Sequence, residues 1–298
     1  MSVKVAILTR NANAWCSLQL KQALARLGVE PTSYSFRDLC AWVAHARGIE
    51  VGEVQVTKDI DAMVVRPIGG GSAEEIFFRM DLLRRVEKEG VYVVNAAAAI
   101  ERAADKYYAL TLLHDRGLPV PRTLVAEDPE MALRAFDEFN GDLVVKPLFG
   151  SRGVGVTRVR DKEVARRVCR TLAYFHHVLY LQEFVPHGYS DLRVFVVGDQ
   201  AVAAMKRAAT WWKTNVAQGA RPHSHVVSRE EKRLAVEAAQ ALGCAVAGVD
   251  IMKTRRGDFC VNEVNSQPDW RGLQSVTPIS IAEKIAEHVR RAAKDHAS

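Results

Sequence analysis

A chain of 298 residues is long enough for two or three domains with shared cores, at roughly 100–200 residues per domain. Its 48% hydrophobic and 26% charged content is that of a soluble globular protein, and no apolar run reaches the roughly 18–20 residues a membrane span needs. The formal charge of +6 comes from basic residues spread along helical stretches and interleaved with Glu and Asp, so it points to solvated faces and an anionic small substrate, not to a nucleic acid or a membrane.

Five cysteines (Cys16, Cys40, Cys169, Cys244, Cys260) are dispersed with no C-x-x-C pair, which fits reduced thiols and argues against a disulfide scaffold or a zinc site. Residues 3–8 are apolar, but the run is short and no small-residue cleavage site follows. No signal peptide is expected, and the chain is expected in the cytoplasm.

In chain order, residues 3–8 read as a buried strand and 18–27 as a helix that stops at Gly28. Strands follow at 32–36 and 62–65, the second closed by Arg66-Pro67 and Gly69-Gly70-Gly71. A helix over 73–88 stops at Gly90, and 91–94 is a fourth strand. Strands alternating with helices imply a parallel sheet covered on both faces, so 1–96 is expected to be an α/β domain.

Residues 97–116 read as one helix ending at Gly117, and 97–122 are expected to belong with the C-terminal part. Residues 123–186 read as a small α+β unit: strand 123–126, helix 129–139, strand 143–146, a glycine-rich loop, strand 154–159, helix 163–174 and strand 178–184. Residues 187–298 begin with a hairpin, 192–197 and 201–206 around Gly198-Asp199. A long polar loop is expected over 207–228. A helix over 230–242 is capped by Ser228 with Glu231 in the capping-box position, strands follow at 246–252 and 258–264, and a last helix covers 279–293.

The stretch Lys146-Pro147-Leu148-Phe149-Gly150-Ser151-Arg152-Gly153-Val154-Gly155-Val156 has the form strand, glycine loop, strand. Glycines let backbone N–H groups approach phosphate oxygens. It is not a Walker loop, because the lysine precedes the glycines and a strand follows them. Read alone, it is equally a ligand-free hairpin. The stronger chemical signal lies later. Asp250 sits in one strand, and Glu263 and Asn265 sit two apart on the next, so alternation puts that pair on one face where Asp250 joins it if the strands pair. Asp, Glu and Asn are hard oxygen ligands of the kind Mg²⁺ accepts while it holds phosphate. Asp105-Lys106 and Lys146 offer two cations for phosphates. Gln182-Glu183-Phe184-Val185 is a strand end whose backbone can read an adenine edge.

Three separated features therefore occur in order: Lys146 with its glycine loop, Gln182-Glu183-Phe184-Val185, and Asp250 with Glu263-Val264-Asn265. Together they resemble the ATP-grasp superfamily. Asp105-Lys106 and Asp191-Leu192-Arg193-Val194-Phe195-Val196-Val197-Gly198 narrow the resemblance to RimK-type α-L-glutamate ligases. The resemblance implies an ATP-grasp fold, an N-terminal parallel α/β domain followed by two α+β subdomains that sandwich ATP. It implies a carboxylate–amine ligase that makes an amide through an acyl phosphate.

Carried over by position, Lys106 and Lys146 bind phosphates, and the loop of Gly150, Ser151, Arg152, Gly153 and Gly155 closes over them. Gln182, Glu183, Phe184 and Val185 line the adenine, and Asp191 reaches the ribose. Asp250, Glu263 and Asn265 hold two Mg²⁺ ions, with Mn²⁺ as the alternative. Arg193, Lys206, Arg207 and Asn215 face the γ-phosphate and the acyl phosphate. The family also implies a homodimer or homotetramer.

For substrate, the resemblance points to Trp211, Trp212, Gln267, Trp270 and Arg271. The tryptophan pair is either an aromatic wall or loop packing. Ribosomal-protein ligases of this type tend to have serine where Gln267 stands, whereas Pro268-Asp269-Trp270-Arg271-Gly272 looks similar to ligases of tetrahydromethanopterin-type cofactors. The expectation is L-glutamate added to a small-molecule carboxylate on such a C1 carrier. The alternatives are a protein or carrier-protein glutamate ligase and a non-catalytic nucleotide sensor.

Overall fold

The computed structural model describes residues 3–150 and 153–296. Ser151 and Arg152, both expected in the phosphate loop, lie outside the described residues.

The elements in chain order are β1 (Val5–Leu8), α1 (Trp15–Arg26), β2 (Thr32–Tyr34), β3 (Leu39–Ala41), β4 (Ile49–Val51), β5 (Val54–Gln55), α2 (Val56–Asp59), β6 (Ala62–Val65), α3 (Ala73–Lys88) and β7 (Tyr92–Val94). Strands β2-β1-β6-β7 form one parallel sheet. All four residues of β1 and of β6 are buried, as expected for strands covered on both faces. Strands β3, β4 and β5 form a small antiparallel sheet within 36–60, where no element was expected. These strands are two or three residues long, too short for a period to register.

Next come α4 (Ala97–Ala104) and α5 (Lys106–Asp115). The single helix expected over 97–116 is thus two. Asp105 ends the first in an extended conformation and caps the second, its carboxylate accepting from the N–H of Tyr107 (2.9 Å) and Tyr108 (3.0 Å).

The small unit contains β8 (Thr123–Ala126), α6 (Pro129–Glu138), β9 (Leu143–Lys146), β10 (Thr157–Val159), α7 (Lys162–Tyr174) and β11 (Leu179–Glu183). Its antiparallel sheet runs β10-β9-β11-β8, with α6 and α7 packed over it. The glycine loop joins β9 to β10, which starts at Thr157, three residues later than expected.

Then follow β12 (Ser190–Val197), β13 (Gln200–Ala208), β14 (Arg221–Ser224), α8 (Arg229–Leu242), β15 (Val246–Lys253), β16 (Phe259–Asn265), α9 (Arg271–Gln274) and α10 (Ile281–His296). The antiparallel sheet runs β14-β13-β12-β15-β16. Here the loop expected over 207–228 is corrected: 221–224 is an edge strand paired with β13. Its Arg-Pro-His-Ser sequence carries no apolar alternation, and Pro is tolerated at an edge. Ser228 and Glu231 form the expected capping box, with Ser228 Oγ accepting from the Glu231 N–H at 3.2 Å.

The five-stranded sheet has two differently used faces. Leu192, Val194, Val196, Ala247, Val249 and Ile251 pack against α8. On the other face Phe195, Val197 and Met205 share a core with Trp270, α10 and the parallel sheet. Helix α10 also packs on α1, so residues 281–296 complete the N-terminal core as well as the C-terminal one. Asn95 stitches the two sheets: its Nδ2 donates to the Val246 carbonyl (2.7 Å), and its Oδ1 accepts from the Val246 N–H (2.8 Å). Among the described residues no helix is long and apolar enough to cross a membrane.

Candidate active site

A cavity of about 120 Å³ lies between the small unit's sheet and the five-stranded sheet. Lys106, Lys146, Arg207 and Lys213 line it with Glu183, Asp191, Asp250 and Glu263, and Arg193 joins them through its ion pair with Asp250.

Alternation along β12, β13, β15 and β16 explains the gathering. Asp191, Arg193 and Arg207 lie at odd positions on adjacent strands. Arg193 faces Asp250 in the β12–β15 register, and Asp250 faces Glu263 in the β15–β16 register. Arg193 holds Asp250 by two bonds, Nε–Oδ1 at 2.5 Å and Nη2–Oδ2 at 2.6 Å. Arg207 holds Asp191 in the same bidentate way (2.7 and 2.5 Å) and reaches Asp250 Oδ2 at 2.9 Å. Burial would push the Asp250 carboxyl up, but the charges and hydrogen bonds of Arg193 and Arg207 outweigh it and hold it below the usual range. Burial alone would lower the Arg207 pKa; Asp250 and Asp191 outweigh it and the net shift is upward.

Lys146 ends β9 and points into the same space. Its Nζ donates to Gln182 Oε1 (2.5 Å) and Asn262 Oδ1 (3.1 Å). Desolvation, opposed by the Glu263 charge, pushes its ammonium down to about 8. Lys106, at the start of α5, donates to the carbonyls of Leu148 (3.2 Å) and Gly150 (3.0 Å), so it grips the glycine loop from below. Desolvation lowers its pKa too. The loop closes against the other side of the cleft at Gly153: a Cβ there would come 2.6 Å from Asn215 Oδ1, and φ is +72°. A side chain here would strain the backbone and push Asn215 aside.

Several residues expected at the site are already engaged within the protein. Lys206 lies on the opposite face of β13 from Arg207 and is exposed, because neighbours on a strand cannot share a face. Asp191 is buried, its oxygens bonded to Arg207 and to Thr214 (Thr214 Oγ1 at 2.6 Å). Gln182 is buried and its amide is fully used, by Lys146, Thr123 Oγ1 (3.1 Å) and the Tyr180 hydroxyl (3.3 Å). The Glu183 carboxylate turns to Arg122 (Nε at 2.8 Å).

In the same segment the N–H groups of Glu183 and Phe184 donate to the carbonyls of Arg122 and Asp142, which leaves Val185 with the N–H that has no partner among the described residues. Trp212 stands edge-on to Phe184 at 6.2 Å between centroids and lines the cleft, whereas Trp211 is 42% exposed. The pair therefore divides into a packed ring and an open one. Trp270 is fully buried against Phe195, under the Arg66 guanidinium at 4.6 Å, and touches no open space as a substrate wall must. Gln267 is engaged with Arg66 and Ile68 of the N-terminal domain.

Asn262 was not expected in the site. The register slips between Asp250 and Ile251, leaving Asn262 as the extra residue of a β-bulge that turns it toward Lys146 beside Glu263. Simple alternation gives no sign of it. Thr214, inside a loop with no motif, carried none either.

A RimK-like ATP-grasp domain profile matches residues 103–289, and a RimK PreATP-grasp domain profile matches residues 3–100. The chain belongs to the RimK-like ATP-grasp family. It is an ATP-grasp carboxylate–amine ligase by that membership.

Family relatives include the tetrahydromethanopterin:α-L-glutamate ligase of Methanosarcina acetivorans, 36% identical over 270 residues (81% of this chain, 83% of that protein). The protein of the same name in Methanococcus maripaludis is 33% identical over 287 residues (95% and 96%). A probable α-L-glutamate ligase of Shewanella loihica is 32% identical over 304 aligned positions (99% and 98%). Among solved structures, a RimK-domain ATP-grasp protein of Sphaerobacter thermophilus superposes with a TM-score of 0.75 at 24% identity (96% and 99%). The ATP-grasp ligase PsnB, complexed with a phosphomimetic precursor variant, Mg and ADP, superposes at 0.74 with 21% identity (99% and 99%). At these identities the solved structures speak for the fold alone.

The donor set can be tested against a hard divalent cation in this RimK-like frame. Asp250 and Glu263 face each other in register, and Asn265 donates its Nδ2 to the Gly248 carbonyl (3.3 Å), which leaves its amide oxygen as the acceptor. Two carboxylates and an amide oxygen suit Mg²⁺, the remaining positions going to phosphate and water. The set has too few acidic side chains to form a cluster of three His, Cys, Asp or Glu residues, and none exists among the described residues. The residues fit, on the condition that Arg193 yields Asp250.

Proposed function

We propose that this chain is an ATP- and Mg²⁺-dependent ligase that joins the amine of L-glutamate to a carboxylate of a small pterin-type C1-carrier cofactor of the tetrahydromethanopterin class. The observation that carries the ligase chemistry is the convergence of Lys106, Lys146, Arg193 and Arg207 on the face that also bears Asp250 and Glu263. The cofactor class rests on the printed names of the archaeal relatives and on the 268–272 segment.

In this reading Lys106 and Lys146 hold the α- and β-phosphates while the loop through Gly150, Gly153 and Gly155 covers them. The segment Gln182–185 flanks the adenine, with the Val185 N–H as its free donor. Asp250, Glu263 and Asn265 would hold two Mg²⁺ ions (Mn²⁺ as the alternative), which supply charge neutralisation at the transferring phosphoryl group. Arg193, released from Asp250, and Arg207 face that group, and Asn215 anchors the closed loop. An oxygen of the acid attacks the γ-phosphorus, and the β–γ bridging oxygen leaves with ADP. The glutamate amine then attacks the acyl carbon, inorganic phosphate leaves, and the amine loses a proton to solvent. The protein's share is positioning and electrostatics.

Residues 1–96, 97–122, 123–186 and 187–298 serve in this reading as N-terminal domain, connecting helices, lid and phosphate-site subdomain. A cytoplasmic homodimer or homotetramer completes it. Mass spectrometry of products formed from a pterin-cofactor extract with glutamate and Mg·ATP should show one added glutamyl residue. An unchanged spectrum, with addition instead to a protein C-terminus, would transfer the assignment to a protein ligase.

A further inference from the structure

Among the described residues Lys146 forms no ion pair. Both oxygens that its Nζ touches belong to neutral side-chain amides: Gln182 Oε1 at 2.5 Å and Asn262 Oδ1 at 3.1 Å. The two amides come from opposite walls of the cleft. Gln182 lies on β11, which pairs with the lysine's own strand β9 in the small unit. Asn262 lies on β16, at one edge of the five-stranded sheet. The carboxylates of Glu263 and Asp250 and the ammonium of Lys106 act on Lys146 only through space.

A β-bulge makes the second contact possible. Val261 and Val264 both pack into the α8 core although they lie three apart, a spacing that a regular strand would send to opposite faces. The register slips between them, from Asp250–Glu263 to Ile251–Val261, and Asn262 is the residue left over. It is thereby released from the apolar face and meets Lys146 beside Glu263. Its Nδ2 has no partner among the described residues, so this side chain is held there through its bond to the lysine. A carboxylate of the same shape would grip the ammonium more tightly and cancel the charge that a phosphate needs.

We propose that Asn262 is a positioning residue: with Gln182 it aims the Lys146 ammonium at the nucleotide's phosphates and leaves that charge uncancelled. This deepens the ligase reading and rests on it for the identity of the ligand. The consequence is a preference at one position. An amide oxygen at 262 supports phosphate binding, and a carboxylate opposes it although it is the better partner for lysine.

The test needs no turnover. Calorimetry follows the binding of ADP and of adenosine, both in EDTA, so that no metal ligand gained by a new carboxylate contributes. Asn262→Ala should weaken ADP about tenfold, the size of one hydrogen bond to a charged group, and change adenosine by less than about twofold. Asn262→Asp should weaken ADP further than Asn262→Ala does. In a Lys146→Met background Asn262→Ala should have no further effect, because it acts through the lysine. Unchanged ADP affinity in Asn262→Ala, an equal loss for adenosine, an aspartate variant that binds ADP at least as well as the alanine variant, or a further loss in the Lys146→Met background would each overturn the proposal. Failure of the ligase reading would appear separately, as ADP release that no acid–amine pair stimulates.

Discussion

Arg193 and Asp250 face each other across the β12–β15 register and are joined by two hydrogen bonds of 2.5 and 2.6 Å. In the proposed ligase, a cation that takes Asp250 competes with this arginine and with Arg207, which reaches Oδ2 at 2.9 Å, and a displaced Arg193 guanidinium would turn to the γ-phosphate. Arg193→Ala should therefore lower the half-saturating Mg²⁺ concentration while cutting ADP formation by about 10²–10³-fold, the usual loss for one preorganised donor. Both are read from the same Mg²⁺ titration. A half-saturating concentration that rises in the variant would contradict the competition.

The Lys146 pKa sets a pH dependence. Lysine is charged below its pKa, so raising the pH through about 8 removes a cation from the phosphate site. The KM for ATP should climb between pH 7 and 9.5. Lys146→Arg keeps its charge over that range and should show a flat profile, whatever its absolute KM. A flat wild-type profile would mean that Lys146 does not carry phosphate binding.

Trp270 distinguishes a core residue from a substrate contact. It is fully buried between Phe195 and Arg66. Trp270→Ala should cost about 3–5 kcal/mol in denaturant unfolding, as large-to-small core changes do. Where the variant remains folded, its KM for the acid should stay near wild type. A normal unfolding curve with a raised KM would restore the substrate role.

Much of the site could be read in the sequence because its chemistry follows strand alternation. Asp250, Glu263 and Lys146 announce themselves as polar residues ending or interrupting apolar strands. The same rule, applied to Lys206-Arg207, should have separated the two, since they must face opposite sides. Asn262 escaped because a one-residue bulge breaks the period on which the reading depended. The short strands β3 to β5 and the edge strand β14 escaped because two to four residues cannot establish a period, and β14 is held by its register with β13, a tertiary contact. The break at Asp105 was legible in principle: an aspartate ahead of Lys-Tyr-Tyr is a helix cap as readily as an interior residue.

The closed loop makes a separate prediction at Gly153. Its φ of +72° strains any other residue, and a Cβ there would have to displace the Asn215 side chain. Gly153→Ala should strain the closed form by about 1–3 kcal/mol and raise the KM for ATP accordingly. The melting temperature of the nucleotide-free protein should fall less if the loop can open to relieve the clash. The cavity of about 120 Å³ is smaller than the roughly 300 Å³ at the low end of ligand pockets, so ATP entry requires such opening. Equal KM values in variant and wild type would mean that the loop does not close over nucleotide in this geometry.

The proposed phosphoryl-transferring ligase site is built on Glu263, Asp250, Lys106, Lys146, Arg193 and Arg207. Its most direct test is ADP release by the purified protein with Mg·ATP, with and without glutamate and a panel of carboxylic acids, in wild type and Glu263→Ala. Release should depend on an acid and an amine together in wild type, and a folded Glu263→Ala protein should show none. Substantial turnover in that variant, or no stimulation of wild type by any acid–amine pair, would contradict it.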